Sequence, residues 1–260
     1  MNASAMDETT KQFPEGMTPL GESGFSFDCN PGVDCFTLCC KNVDLTLYPY
    51  DIIRLKSFLA IDSQEFLRNH TFLQKGANPY FPTVKLKLLE NTDKSCPFLI
   101  PEGCSVYKER PFSCRTYPLE VAVDRSCFSE PSSEYFFLTN HDYCLGHRRE
   151  KVQTVREWVR SQRLHDCLLM NGLWTEMDTI FAGNPWKGEG YCGQKQQLAF
   201  MACYNIDGFR RFASEQHLLQ QFKLDRDFKK RILNSDTELQ KFAFEWLKLI
   251  LGERSSLVKR

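Results

Sequence analysis

The sequence predicts an α+β fold, mostly helical: a small cysteine-rich metal-binding region with a short antiparallel sheet, followed by a helical subdomain. Three observations lead there. Eight of the twelve cysteines fall between Cys29 and Cys144, in a proline-punctuated stretch with only short regular elements. Beyond that stretch the apolar residues recur at helical spacing. At 260 residues and 42% apolar, the chain is large enough to bury a core without covalent crosslinks.

Taken in order, residues 1–24 are rich in Gly, Ser, Thr, Glu and Pro and read as a disordered tail. Residues 25–147 form the cysteine-rich unit. Within it Ile52, Ile53, Leu55, Phe58 and Leu59 share a helical face, and Asp62-Ser63-Gln64-Glu65 is a capping box opening a second short helix. Val84, Leu86 and Leu88 alternate with lysines as in a half-buried strand; Leu119, Val121 and Val123 do the same, and Tyr135–Leu138 is a third strand. Residues 148–260 are expected to be a helical subdomain. Val152, Val155, Trp158, Val159 and Leu164 keep a helical period through Leu168 and Leu169, with a stop expected at Asn171-Gly172. A loop with Gly183, Gly188, Gly190 and Gly193 separates this helix from others over Gln194–Cys203 and Asp207 to about Phe222. Asp225 caps a helix to Leu233. The last helix opens on the capping box Ser235-Asp236-Thr237-Glu238, carries Leu239, Phe242, Trp246, Leu249 and Ile250 inward, and ends at Gly252.

Charge excludes some functions. Thirty-three basic residues balance thirty-three acidic ones, so no net field draws in nucleic acid or an anionic membrane. Arg148-Arg149 and Lys229-Lys230-Arg231 are short runs mixed with acids and read as solvated faces. No apolar run is long enough to span a membrane, and the first residues lack a basic and apolar leader, so the expected location is the cytoplasm. There thiols stay reduced, and clustered cysteines hold metal instead of pairing as disulfides.

The clusters are FDCNPGVDCFTLCC, with Cys29, Cys35, Cys39 and Cys40, and CPFLIPEGCSVYKERPFSCRTYPL, with Cys96, Cys104 and Cys114; Cys144 follows in HDYCLGH. Several bare thiolates cannot be buried together unless a cation neutralises them, and the binding energy then becomes folding energy. Eight thiolates suit two four-cysteine sites, or one iron–sulfur cluster with spare thiols. Zinc-ribbon, radical-SAM and ferredoxin spacings are all absent. Consecutive side chains diverge, so Cys39 and Cys40 suit different irons of one cluster or two neighbouring sites.

These segments resemble the YkgJ-type cysteine-cluster family, zinc- or iron-chelating domains with a CxxCxxCC hallmark. The likeness lies in FDC…CC and in CPFL, the Gly-x-Cys-x-Val-Tyr run, Arg-Pro and the Cys-Arg-aromatic-Pro run; Cys144 stands where the family places its last cysteine. The first cluster departs from it, with C-x5-C-x3-CC in place of C-x2-C-x2-CC. The resemblance covers about residues 25–147 and extends distantly to flagellin lysine N-methylases. It implies an iron–sulfur cluster, 4Fe–4S foremost and zinc as the alternative, on Cys29, Cys35, Cys39, Cys40, Cys96, Cys104, Cys114 and Cys144. Arg110 and Arg115 flank Cys114 and are expected to compensate thiolate charge. His141 and His147 flank Cys144 as further possible donors. Cys127, Cys167, Cys192 and Cys203 stand apart from the clusters; Cys167 and Cys203 read as packed thiols, and Cys192, in the glycine loop, as an extra ligand or reactive thiol.

Three functions compete: a redox, sensing or metal-handling module; a protein-lysine N-methylase-like enzyme; and a structural zinc scaffold for another protein. Against the enzyme, no glycine-rich loop follows a strand in the Rossmann manner, and no catalytic triad or paired carboxylate is recognisable. The partner expected, if any, is another protein, with neither nucleic acid nor membrane.

Overall fold

A computed structural model describes residues 18–124, 133–189 and 192–260. The chain enters through a short strand, β1 (Gly24–Ser26), and passes the first cysteines in a loop that closes in a 3-10 turn over Leu38–Cys40. Helix α1 (Pro49–Phe58) starts at Pro49, whose missing N–H costs nothing at a first helical position, and α2 (Ser63–His70) is capped as its sequence foretells: Asp62 accepts from the Glu65 N–H at 2.7 Å. Strands β2 (Thr71–Gln74) and β3 (Thr83–Leu86) pair antiparallel, as do β4 (Leu99–Ile100) and β5 (Gly103–Cys104). A single-turn helix α3 (Phe112–Thr116) carries Cys114. The longest ribbon joins β6 (Leu119–Asp124) to β7 (Ser133–Leu138), and β8 (Val152–Thr154) returns to pair with β1. The expected sheet is thus four separate two-stranded ribbons among the described residues.

Helices complete the fold: α4 (Val155–Ser161), α5 (His165–Ala182), α6 (Gln194–Tyr204), α7 (Ile206–Glu215), α8 (Arg226–Asn234) and α9 (Asp236–Leu251). Caps at Asp225 and Ser235 and the left-handed Gly252 (φ 85°) stand where the sequence placed them. Four boundaries differ. Val152 belongs to β8, and the chain turns at Arg163 (φ 52°) between α4 and α5 instead of running on as one helix. Helix α5 then passes straight through Asn171-Gly172, because Trp174, Met177 and Phe181 continue its buried face and burial outweighs the weak helix preference of Asn-Gly. The helix expected to reach Phe222 ends at Glu215.

Two apolar cores organise these elements, and each draws on both halves of the chain. The larger packs Leu47, Ile52, Leu55 and Phe66 against Trp186, Phe209 and Phe242, with the partly buried Cys96 and Cys104 at its margin. Each such fully buried side chain contributes about 1.5–3 kcal/mol. The smaller packs Phe25, Phe27 and Leu119 against Trp158, Leu164 and Cys167, with Cys144 at its margin. The Trp158 indole N–H donates to the Thr116 carbonyl at 2.9 Å, fixing α4 against the end of α3.

A buried ion network ties α1 to the C-terminal helices. Lys56, 8% exposed, places Nζ 2.6 Å from Asp236 and 3.1 Å from Asp207, and Asp207 also accepts from the Ser63 N–H at 2.7 Å. Lys56→Met is expected to lose about 1–3 kcal/mol, because it leaves Asp207 without its cation, while Asp236 keeps Arg210 at 2.6 Å. Chemical denaturation of the variant checks this.

Candidate metal centre

Backbone hydrogen bonds bring the cysteine segments side by side. The 3-10 turn of Cys39 and Cys40 is entered from a left-handed Thr37 (φ 68°). The strand that follows lies against residues 94–96: Asn42 N–H donates to the Lys94 carbonyl at 3.0 Å, and the Cys96 N–H donates to the Cys40 carbonyl at 2.8 Å. Cys96 then accepts from Leu99 N–H at 3.0 Å, and Leu99 pairs with Cys104 across the β4–β5 ribbon. The turn of that ribbon needs glycine. Gly103 holds φ 127°, and a Cβ there would sit 3.3 Å from the ring of Phe36, a residue of the first cluster.

The segment of Cys29 and Cys35 lies against the residues that follow Cys144. Asp28 N–H donates to the Gly146 carbonyl at 3.1 Å, and the Leu145 N–H donates to Cys35 Sγ at 3.1 Å. Gly146 lies so close beneath this contact that a Cβ would stand 2.7 Å from the Phe27 ring and 3.0 Å from the Asp28 carbonyl oxygen. Gly146→Ala is therefore expected to destabilise by about 1–3 kcal/mol, measured by thermal unfolding, with the loss read together with the reactivity of Cys35.

The thiols sense one another. Burial pushes Cys29 up to about 11, reinforced by Cys39, Cys35 and Cys144. Burial also raises Cys96, with Cys104 and Cys39 adding to it, and raises Cys114, with Cys96 and Cys39 adding. Cys40 is raised and Cys39 lowered, to about 7, because the two sulfurs share a hydrogen bond that favours a thiolate on Cys39. Eleven cysteines are described, all as free thiols; Cys29, Cys39 and Cys114 reach solvent.

As these side chains stand, no three Cys, His, Asp or Glu groups among the described residues are arranged to hold a metal ion. The donor chemistry is nonetheless that of a soft cation's ligands: closely spaced thiols that burial and one another keep protonated until a cation binds, one with a backbone N–H aimed at its sulfur.

Charge around the thiols is arranged in an unforeseen way. Arg110 lowers Cys104 against the burial that raises it, and its guanidinium stacks over Tyr107 at 4.0 Å. Arg115 turns inward: 6% exposed, it donates to the Gln162 carbonyl at 3.0 Å and to the Lys108 carbonyl. Two residues that sequence reasoning passed over hold the scaffold. Asp51, 1% exposed, accepts from Tyr48 N–H at 3.0 Å and Phe112 N–H at 2.8 Å, so one carboxylate starts both α1 and the helix of Cys114. Arg54 joins Glu109 at 2.9 Å, the Arg110 carbonyl at 3.2 Å and Cys167 Sγ at 3.4 Å.

The histidines build a wall of rings beside Cys144. His141 stacks between Tyr117 and Tyr143, with centroids at 5.7 and 5.1 Å, and His147 Nε2 lies 3.5 Å from the Tyr117 hydroxyl. Tyr117 is pushed up by burial and by a hydrogen bond with Cys144. Cys167 and Cys203 are buried in the two cores, and Cys192 is exposed beyond them. Cys127 lies outside the described residues.

Compared with known families, residues 28–145 match the CxxCxxCC model, whose description reads "Putative zinc- or iron-chelating domain". This segment is similar to the CxxCxxCC family. The matched segment contains all eight clustered cysteines, and helices α4 to α9 lie beyond the match. No curated protein and no solved structure matches the chain. Metal binding is the general property that the family supports.

Proposed function

We propose that the matched segment holds an iron–sulfur cluster, 4Fe–4S in type, on its clustered cysteines and serves in redox chemistry, sensing or metal handling. The observation that supports this reading is that cysteine-bearing segments far apart in the chain are joined by backbone contacts: Cys40 to Cys96, and Asp28 and Cys35 to residues 145–146, next to Cys144. Thiols raised in this way lose their protons only when a cation is there to neutralise the thiolates, which a cluster core does.

Solvent access favours exchange over a sealed scaffold. A structural zinc site closes over its four ligands, whereas Cys29, Cys39 and Cys114 remain open to solvent. An open centre lets electrons or metal pass to a second protein, the partner class that the reading requires. Cluster potential is tuned by hydrogen bonds to sulfur and by nearby charge, which the Leu145 N–H and Arg110 supply.

Protein purified without oxygen is expected to be brown, with iron and acid-labile sulfide in equal amounts and a visible absorption that bleaches on reduction. Colourless protein carrying stoichiometric zinc would move the assignment to a zinc site. Protein with neither metal, its thiols paired in disulfides, would end the metal reading.

A further inference from the structure

We infer that the outer edge of β2 docks the same strand of a second copy of this chain, the two copies pairing antiparallel about a two-fold axis at Phe72. The inference is independent of the metal reading.

The hydrogen-bond pattern of the β2–β3 ribbon leaves that edge open. Lys87 N–H donates to the His70 carbonyl at 2.8 Å, and the register continues with Phe72 opposite Lys85 and Gln74 opposite Thr83. In an antiparallel ladder, directly opposed residues alternate between pairs that exchange hydrogen bonds and pairs that do not. Phe72 and Gln74 therefore bond to β3. Thr71 and Leu73, opposite Leu86 and Val84, turn their N–H and C=O groups away from it. On β3 the matching outward groups are taken: Leu47 N–H donates to the Val84 carbonyl and Leu86 N–H to the Leu45 carbonyl, both at 2.9 Å. Those of Thr71 and Leu73 have no backbone partner among the described residues.

The side chains show the same open position. Val84, directly across from Leu73, is fully buried, yet Leu73 is 55% exposed and Phe72 beside it 46%. Edge strands are ordinarily guarded by a charge, a proline or a bulge. Thr71-Phe72-Leu73-Gln74 has no charge and no proline, and its register with β3 is unbroken.

A second copy fits this edge because the open groups are symmetric about Phe72. With Phe72 opposite its counterpart, Thr71 of each copy faces Leu73 of the other, and every outward N–H and C=O of these residues finds a partner. The two Phe72 rings then meet across the axis as a cross-strand aromatic pair. Farther along, His70 faces Gln74 and Asn69 faces Lys75, so no like charges oppose one another. Such an interface is isologous, as a two-fold dimer requires. Strands this short cover far less than the roughly 800 Å² per partner of a standard interface, so the dimer is weak and forms as concentration rises.

Sedimentation velocity of the full chain in reducing buffer, over a rising concentration series, tests this, with backbone hydrogen exchange followed at both ends of the series. The expected result is a reversible monomer–dimer equilibrium in which the Thr71 and Leu73 amides exchange more slowly at the higher concentration. Leu73→Lys brings two like charges together across the axis and is expected to weaken association at least about tenfold, with the unfolding temperature of the dilute protein unchanged. Leu73→Pro removes an outward N–H without touching the β2–β3 ladder and is expected to do the same. A chain that stays monomeric throughout overturns the proposal. So does a dimer that forms as tightly after Leu73→Lys, or one in which the β2 amides exchange as fast as in the monomer.

Discussion

Serine in place of Cys96 or Cys104 is expected to strip metal from the chain and leave most of it insoluble. Both thiols stand at the margin of the larger core, where Leu47, Ile52, Trp186 and Phe242 are packed. A vacated centre there leaves raised, repelling thiols beside apolar side chains. A structural metal site contributes on the order of 10 kcal/mol to folding, comparable to the whole stability of a typical domain of about 5–15 kcal/mol. Cys167→Ala and Cys203→Ala provide the contrast. Their sulfurs are buried in the cores, so these variants are expected to lose stability through packing while keeping wild-type metal per folded chain. Metal analysis of the soluble fraction, normalised to folded protein, makes the comparison. Equal metal loss in both groups of variants would refute the division between ligand and core cysteines.

The second large effect belongs to Asp51. Asp51→Ala is expected to lose about 2–4 kcal/mol, because it leaves the N–H groups of Tyr48 and Phe112 at the starts of α1 and α3 without their acceptor and leaves Arg54 only Glu109 as a carboxylate partner. Burial raises this carboxyl from 3.8 to about 6, against the pull of the N–H groups of Tyr48 and Phe112 and of Arg54. The folded chain therefore binds more protons at this site than the unfolded chain between these two values. Stability falls as pH rises through that window and is level above it, with a total contribution on the order of 3 kcal/mol. Asp51→Asn removes the titration. The difference in unfolding free energy between the wild type and this variant, followed from pH 4 to 7 at constant metal loading, is expected to change across that window. A difference independent of pH would show that the carboxyl does not titrate there.

Local signals were legible in the sequence where a few neighbouring residues determine the outcome. Asp62, Asp225 and Ser235 cap helices because each side chain needs only an N–H three residues ahead. Alternation over Leu119–Val123 and the short apolar run Tyr135–Leu138 marked the two strands of the longest ribbon. Long-range burial was not legible. Helix α5 runs through Asn171-Gly172 because residues distant in the chain cover Trp174 and Phe181, and periodicity within one segment carries no record of that cover. The pairing of β1 with β8 depends in the same way on partners more than a hundred residues apart.

At the site, residue type identified the cysteines, since their crowding in the sequence is itself the signal. The placement of charge was harder to read. Arg115 follows Cys114 directly, yet a one-turn helix sends its side chain toward Gln162 and Lys108, while Arg110 acts on Cys104. Asp51 had a readable trace: Pro49 at the first turn of α1 with an acid two residues later is a helix-start pattern. Its second bond, to Phe112, depends on the tertiary fold. Tyr117 and Tyr143 could be named as aromatic neighbours of Cys114 and Cys144, but only the fold stacks them about His141.

The most direct test of a thiolate-held metal is X-ray absorption at the metal edge of protein purified without oxygen. The expected result is a nearest-neighbour shell of sulfur alone, four per metal, with an iron–iron shell beyond it for a cluster or a single zinc–sulfur distance of about 2.3 Å for zinc. A shell dominated by nitrogen or oxygen, or a sample with no metal edge above background, would contradict it.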